Sequence, residues 1–245
     1  MAKKRINNEQ GFSLVEMSIV LAVISFLVGA IVYGIGLKEK SKSKAILSEL
    51  NSYLEAVDRF KSKYNYYPGD LTNADRYFTG FAIDTSDGNG IVDTGMERNL
   101  FWIQLSQAKM IDQFLDFDAD PTVTTDIVIG TNRPSSKVDG LGWTFLDQVN
   151  VTTTVPETLR MYNVFRFGGY DGTENLSDPV MPISAHRYLD SKIDAPNTPL
   201  EGKYIVTETT CLADPSVSPY TYSTDTSILC TGNMADSASS GAEVI

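Results

Sequence analysis

The sequence predicts an α+β fold, with a long N-terminal helix packed against a C-terminal head that contains an antiparallel β-sheet. Three observations predict it. No proline occurs before Pro68. Within that stretch a continuous apolar run passes into residues at helical spacing. Beyond it, short strand-like runs are separated by turn-rich segments, as in folds where helix and sheet are segregated.

The helix is expected from about residue 12 to residue 63. From Met17 to Leu37 there is no charged residue. As a helix rising about 1.5 Å per residue, this stretch spans about 30 Å, enough to cross the bilayer core. After Leu37 the composition changes to KEKSKSKAILSELNSYLEAVDRFKSKY. There Ile46, Leu50, Tyr53, Leu54, Val57 and Phe60 recur at helical spacing, so residues 38–63 form an amphipathic half. Gly29, Gly34 and Gly36 each cost about 1 kcal/mol relative to alanine. They serve either as places where the helix bends or as close-packing positions, although Gly34 and Gly36 lack the four-residue spacing of a dimer motif.

The head is expected over residues 64–234. YNYYPGD ends the helix, Pro68 and Gly69 turn the chain, and Asp70 is placed to cap a short helix through Phe78. Residues 97–111 read as a second helix and 183–193 as a third. Strands are expected at 122–129, 142–146, 161–167 and 203–208. Tyr64, Tyr66, Tyr67, Phe78 and Trp102 lie near the helix-to-head junctions and are assigned to the core. Residues 235–245, ADSASSGAEVI, read as a loose tail.

Composition narrows the function. The 245 residues are 42% hydrophobic and 21% charged, with a formal net charge of −11. Removing residues 1–11, with Lys3, Lys4, Arg5 and Glu9, takes that charge to −13. Such a surface repels phosphate backbones, so no nucleic-acid partner is expected for the head, and it suits divalent cations. No GxSxG elbow, Walker loop or dinucleotide fingerprint occurs. The single histidine, His186, gives no triad or histidine-rich metal site and is expected on a helix surface or half-buried.

The N-terminus carries the most specific signal. Residues 1–10, MAKKRINNEQ, are polar and basic; by the positive-inside rule Lys3, Lys4 and Arg5 hold this end in the cytoplasm and the head lies across the membrane. No small-residue cleavage site follows the apolar run, as an ordinary secretory signal would require. A glycine precedes the run instead. The string Gly11-Phe12-Ser13-Leu14-Val15-Glu16 resembles the cleavage motif of type IV prepilins and type II secretion pseudopilins. YPGDL at 67–71, an acidic residue before a short aromatic-rich helix, and Leu189 to Asp194 resemble one group of these proteins.

The resemblance implies a leader, residues 1–11, cut after Gly11 by prepilin peptidase, with N-methylation of the new N-terminal Phe12. It implies that residues 12–37 cross the inner membrane in the precursor and later form a filament core, assembled by an inner-membrane platform. The filament would lie in the periplasm or outside the cell. It also implies that Glu16 pairs with the N-terminal amine of a neighbouring subunit. A carboxylate at the edge of an apolar span is costly to bury, and such a pairing offsets that cost. The alternative is a plain anchor with Glu16 among the headgroups.

Two features of the head remain. Cys211 and Cys230 lack the paired short spacings of a zinc site. Outside the cytoplasm they are expected to form one disulfide, whose loop of about twenty residues is worth roughly 3 kcal/mol; two buried thiols are the alternative. In DTSDGNGIVD, residues 84–93, the donors Asp84, Asp87, Asn89 and Asp93 are interleaved with Gly88 and Gly90. Such a loop suits calcium, which takes six to eight oxygens. Thr85 and Glu97 depart from the EF-hand register, and an exposed acidic turn is the alternative. No cofactor is otherwise required. The expected function is a structural filament subunit, not an enzyme. A minor or tip pilin displaying an adhesive head, or a secretion pseudopilin, is the competing reading.

Overall fold

The computed structural model describes residues 12–78, 86–93, 95–115, 127–152, 158–170, 172, 176, 178–193, 204–206, 229–230, 232–235 and 243–244. The chain divides into two units, Met1–Ser41 and Lys42–Ile245. Helix α1 runs from Leu14 to Tyr64, close to the expected bounds. It ends where Asn65 takes a left-handed conformation, φ 62°, and donates its N–H to Lys61 O at 2.8 Å.

In the first unit every large apolar side chain of α1, from Leu14 to Leu37, is exposed. Ser18 Oγ donates to Val15 O and Ser25 Oγ to Leu21 O, each at 2.8 Å. Both hydroxyls are thus satisfied by their own helix, as expected for serines in an apolar span.

In the second unit α1 buries Ile46, Leu50, Tyr53, Ala56, Val57 and Phe60. These are the positions with helical spacing, joined by Ala56, except Leu54, which is only half-buried against the core. They pack with Phe101, Trp102, Ile103 and Leu105 of α2 (Gly95–Gln107) and with Trp143, Phe145, Phe165 and Phe167 of the sheet. Phe101 stacks on Phe145 with ring centroids 3.9 Å apart, and Tyr53 meets Trp102 edge-on at 5.0 Å. Burial, then the nearby Glu49 charge, raises the Tyr53 pKa, so its phenol stays neutral. Glu49 pins α1 to the region around the sheet: its carboxylate accepts from Lys137 N at 2.6 Å, Ser136 Oγ at 2.7 Å and Trp143 Nε1 at 2.8 Å.

The main sheet is antiparallel in all its pairings. Strand β1 (Gly142–Thr152) pairs with β2 (Thr158–Gly168), from Gly142↔Gly168 to Thr152↔Thr158. Two short strands, β3 (Met181–Pro182) and β5 (Leu229–Cys230), pair with each other. Helix α3 (Ile183–Ile193) falls where it was expected. Strand β4 (Tyr204–Val206) pairs with β6 (Gly232–Ala235), which pairs with β2. Strand β7 (Glu243–Val244) pairs with β2 at Leu159 and Arg160. Residues 141–146 and 163–169 are all buried, so this part of the ladder is covered on both faces. That is why WTFL and VFRF do not show apolar–polar alternation.

Several expectations change. Helix α2 stops at Gln107 instead of running to 111. It closes in a Schellman turn, with Lys109 left-handed at φ 56° and Met110 N donating to Leu105 O. A lysine at that position gives no sequence signal. The helix expected over 70–78 is only a 3-10 turn, Ala74–Arg76, entered through left-handed Asn73; Asp70 does not cap it. His186 is fully buried, stacked on Phe167 at 5.7 Å between centroids. The segment read as a loose tail contributes Ala235, Glu243 and Val244 to strands. Of 122–129 only 127–129 are described, and Ile129 makes an isolated bridge to Arg133.

Candidate functional site

Two sites were expected from the sequence, one at the start of α1 and one in the acidic loop. Gly11 lies outside the described residues. Phe12 and Ser13 are non-helical and exposed, and the helix starts at Leu14. Ser13 is the N-cap: its Oγ accepts from Val15 N at 3.3 Å, and its own N–H donates to Glu16 Oε2 at 2.8 Å. This is a capping box, in which the third helical residue reaches back to the cap. It satisfies donors at the helix start and fixes the Glu16 carboxylate toward the N-terminus. The signature Ser-x-x-Glu before an apolar run was legible, but sequence reasoning had assigned no role to Ser13.

Near the second site, Gly69 has φ +86°, and an added Cβ would run into the Glu97 backbone. Only glycine lets the turn approach α2 this closely. Gly69 N–H donates to Gln104 Oε1 at 2.7 Å, and Gly69 O accepts from Ser86 Oγ at 2.6 Å. The turn thereby delivers Asp70, itself buried, to the acidic loop. Its Oδ1 accepts from Gly88 N at 2.7 Å and its Oδ2 from Gly90 N at 2.8 Å. Burial, the larger effect, pushes the Asp70 pKa up, as does the Asp87 charge, while the loop amides pull it down.

The far side of the loop is held by Asn163. Its Nδ2 donates to Gly90 O at 3.1 Å and its Oδ1 accepts from Val92 N at 3.4 Å. Asn163 is left-handed at φ 53° in the middle of β2, a conformation asparagine tolerates better than most residues.

The expected calcium ligands are only partly brought together. Asp84 lies outside the described residues. Asn89 Nδ2 donates to Asp87 Oδ2 at 2.9 Å and to Asp93 Oδ2 at 3.4 Å, while Asn89 Oδ1 accepts from Ile91 N at 2.6 Å. The carboxylates that converge are instead Asp70, Asp87 and Glu97, with oxygens within 4.8 Å of one another. Asp70 and Glu97 are buried and Asp87 is exposed. Glu97 Oε2 also accepts from Asp93 N at 3.0 Å. Sequence reasoning missed Asp70 and Glu97 because the first was read as a cap and the second against an EF-hand register. Nothing in the sequence joins the two, because their approach depends on the Gly69 turn packing against α2.

Cys211 lies outside the described residues, and only the backbone of Cys230 is described, in β5. The expected disulfide therefore lies outside the described side chains.

No curated protein and no solved structure matches the chain. Residues 6–32 match the family model of the prokaryotic N-terminal methylation motif. That motif covers the second half of the leader, Gly11, Phe12, the capping box and the start of the apolar helix. It implies processing by prepilin peptidase and assembly into a filament. Residues 6–32 are therefore the prepilin-type signal of the type IV pilin and pseudopilin family.

Proposed function

We propose that this chain is a structural subunit of a type IV pilus-like filament. It is cut after Gly11, N-methylated at Phe12, and assembled through Glu16 and the apolar half of α1. The observation that carries this reading is the coincidence of the methylation motif with a helix whose apolar side chains, from Leu14 to Leu37, are exposed within one chain. Lipid before assembly and neighbouring subunits afterwards supply their cover. The precursor sits in the inner membrane with its head in the periplasm, and the filament lies beyond it. The prepilin-type signal supports this orientation better than charge counting does, since lysines flank the apolar run on both sides. Replacing Gly11 by leucine leaves an uncut precursor in the membrane and no filament; normal cleavage of that variant contradicts the reading.

A second reading, a minor or tip subunit or a pseudopilin with a cation-dependent head, is favoured by one observation. The oxygens of Asp70, Asp87 and Glu97 converge to the separations found between ligands of one calcium ion. Titration calorimetry of the full chain with calcium tests it: saturable heat supports a bound ion, and heat equal to dilution removes it. A disulfide between Cys211 and Cys230 belongs to the same reading of a periplasmic head, and non-reducing mass mapping tests it.

A further inference from the structure

We propose that Lys38, Lys40, Lys42 and Lys44 form a collar that binds anionic phospholipid headgroups where α1 leaves the bilayer on the head side. This rests on the reading that the apolar half of α1 crosses the membrane. The four lysines begin directly after Leu37, the last residue of the apolar run, and all lie within the continuous helix Leu14–Tyr64. Only Glu39 opposes them in this stretch. Lys38, Lys40 and Lys44 are exposed and Lys42 is half-buried.

The spacing selects the partner. Residues two apart on a helix differ by about 200° around its axis. Lys38 and Lys40 therefore face opposite sides of α1, and Lys42 and Lys44 do the same. A protein partner docks on one face, whereas a headgroup layer meets the charges on both of these opposite sides, most fully at Lys38 and Lys40, before α1 becomes covered at Ser43. The seven residues rise about 10 Å, comparable to the polar layer beyond the hydrocarbon core. Lysine stems are long enough to keep their ammonium groups in that layer while their methylenes lie along apolar surface. Juxtamembrane clusters of this size are attracted to anionic lipid over a Debye length.

The consequence is functional. The collar fixes how deep the subunit sits before assembly, so that Leu37 stays at the hydrocarbon edge. It must give up its lipid contacts as the subunit leaves the bilayer, which makes extraction dependent on the anionic lipid content of that leaflet.

The test is electron spin resonance on the full chain reconstituted in phosphatidylcholine, with spin-labelled phosphatidylglycerol or phosphatidylcholine as the reporter. The expected result is a preference of about threefold or more for the anionic lipid at low salt, weakening toward unity at about 0.5 M salt. A variant with all four lysines changed to serine should lose most of that preference, and one with all four changed to arginine should keep it. Retention of the protein in the lipid fraction at alkaline pH with no anionic preference overturns the collar alone. Loss of the protein from that fraction overturns the span and the collar together. A preference unchanged in the serine variant overturns the collar by assigning the effect elsewhere.

Discussion

Glu16 and Glu49 lie on the same helix and solve opposite problems. Glu49 accepts hydrogen bonds from residues 136, 137 and 143, all distant in sequence. Glu16 accepts one, from Ser13 three residues away. The same division runs through the apolar side chains: Ile46, Val57 and Phe60 are 0% exposed, while Leu14, Phe26 and Ile31 are 63–86% exposed. The second half of α1 is completed by its own chain. The first half satisfies only its polar groups internally and leaves its apolar surface to be covered by lipid or by other subunits. Under the proposed function, local bonding marks the part of the helix that exchanges lipid for other subunits, and long-range bonding marks the part that does not.

Substitutions can break this contrast, beginning with the strongest. Glu16→Gln keeps the capping box, since glutamine serves at that position, but removes the charge. Membrane insertion and helix content should persist while filament yield falls at least about tenfold, as expected when a desolvated charge pair loses one partner. Counting filaments by electron microscopy against membrane-bound subunit measures this, and normal yield would show that the charge has no assembly role.

Glu49→Ala should do the reverse. It leaves Trp143 Nε1, Ser136 Oγ and Lys137 N without their acceptor in the interior. A loss of about 3 kcal/mol follows, or about 10 °C in Tm, with processing after Gly11 unaffected. Thermal unfolding by near-ultraviolet circular dichroism decides it; an unchanged Tm would mean that Glu49 does not pin α1 to the head.

The smallest effect concerns Asp70. Burial holds its folded-state pKa above the ordinary 3.8. A raised carboxylate pKa means that folding favours the protonated form, so its stabilising contribution is full below 3.8 and is lost as pH rises through the raised value. The wild-type chain should therefore gain stability relative to Asp70→Asn as pH falls toward 4. Urea midpoints of both chains across that interval test the sign, and a constant difference contradicts it.

The same contrast explains what was legible in the sequence. The apolar run, the cleavage glycine and Glu16 depend on near neighbours, so residue order alone discloses them. The buried face of α1 was also readable, because its spacing repeats along one element. The joining of YPGD, DGNG and Glu97 was not, since it depends on a glycine approaching a helix carbonyl and on Asn163 arriving from β2. Lys109 and Asn73 ended or started elements in left-handed conformations that their residue types only weakly announce. His186 was misjudged for a related reason: it is buried, and the ring stacked on it is Phe167, nineteen residues earlier and in a strand.

The central claim is that the N-terminal signal is used. Intact-mass and N-terminal peptide analysis of the chain taken from sheared filaments tests it most directly. The expected species begins at Phe12 and carries one N-methyl group. A filament subunit that retains residues 1–11, or begins at any other residue, contradicts it.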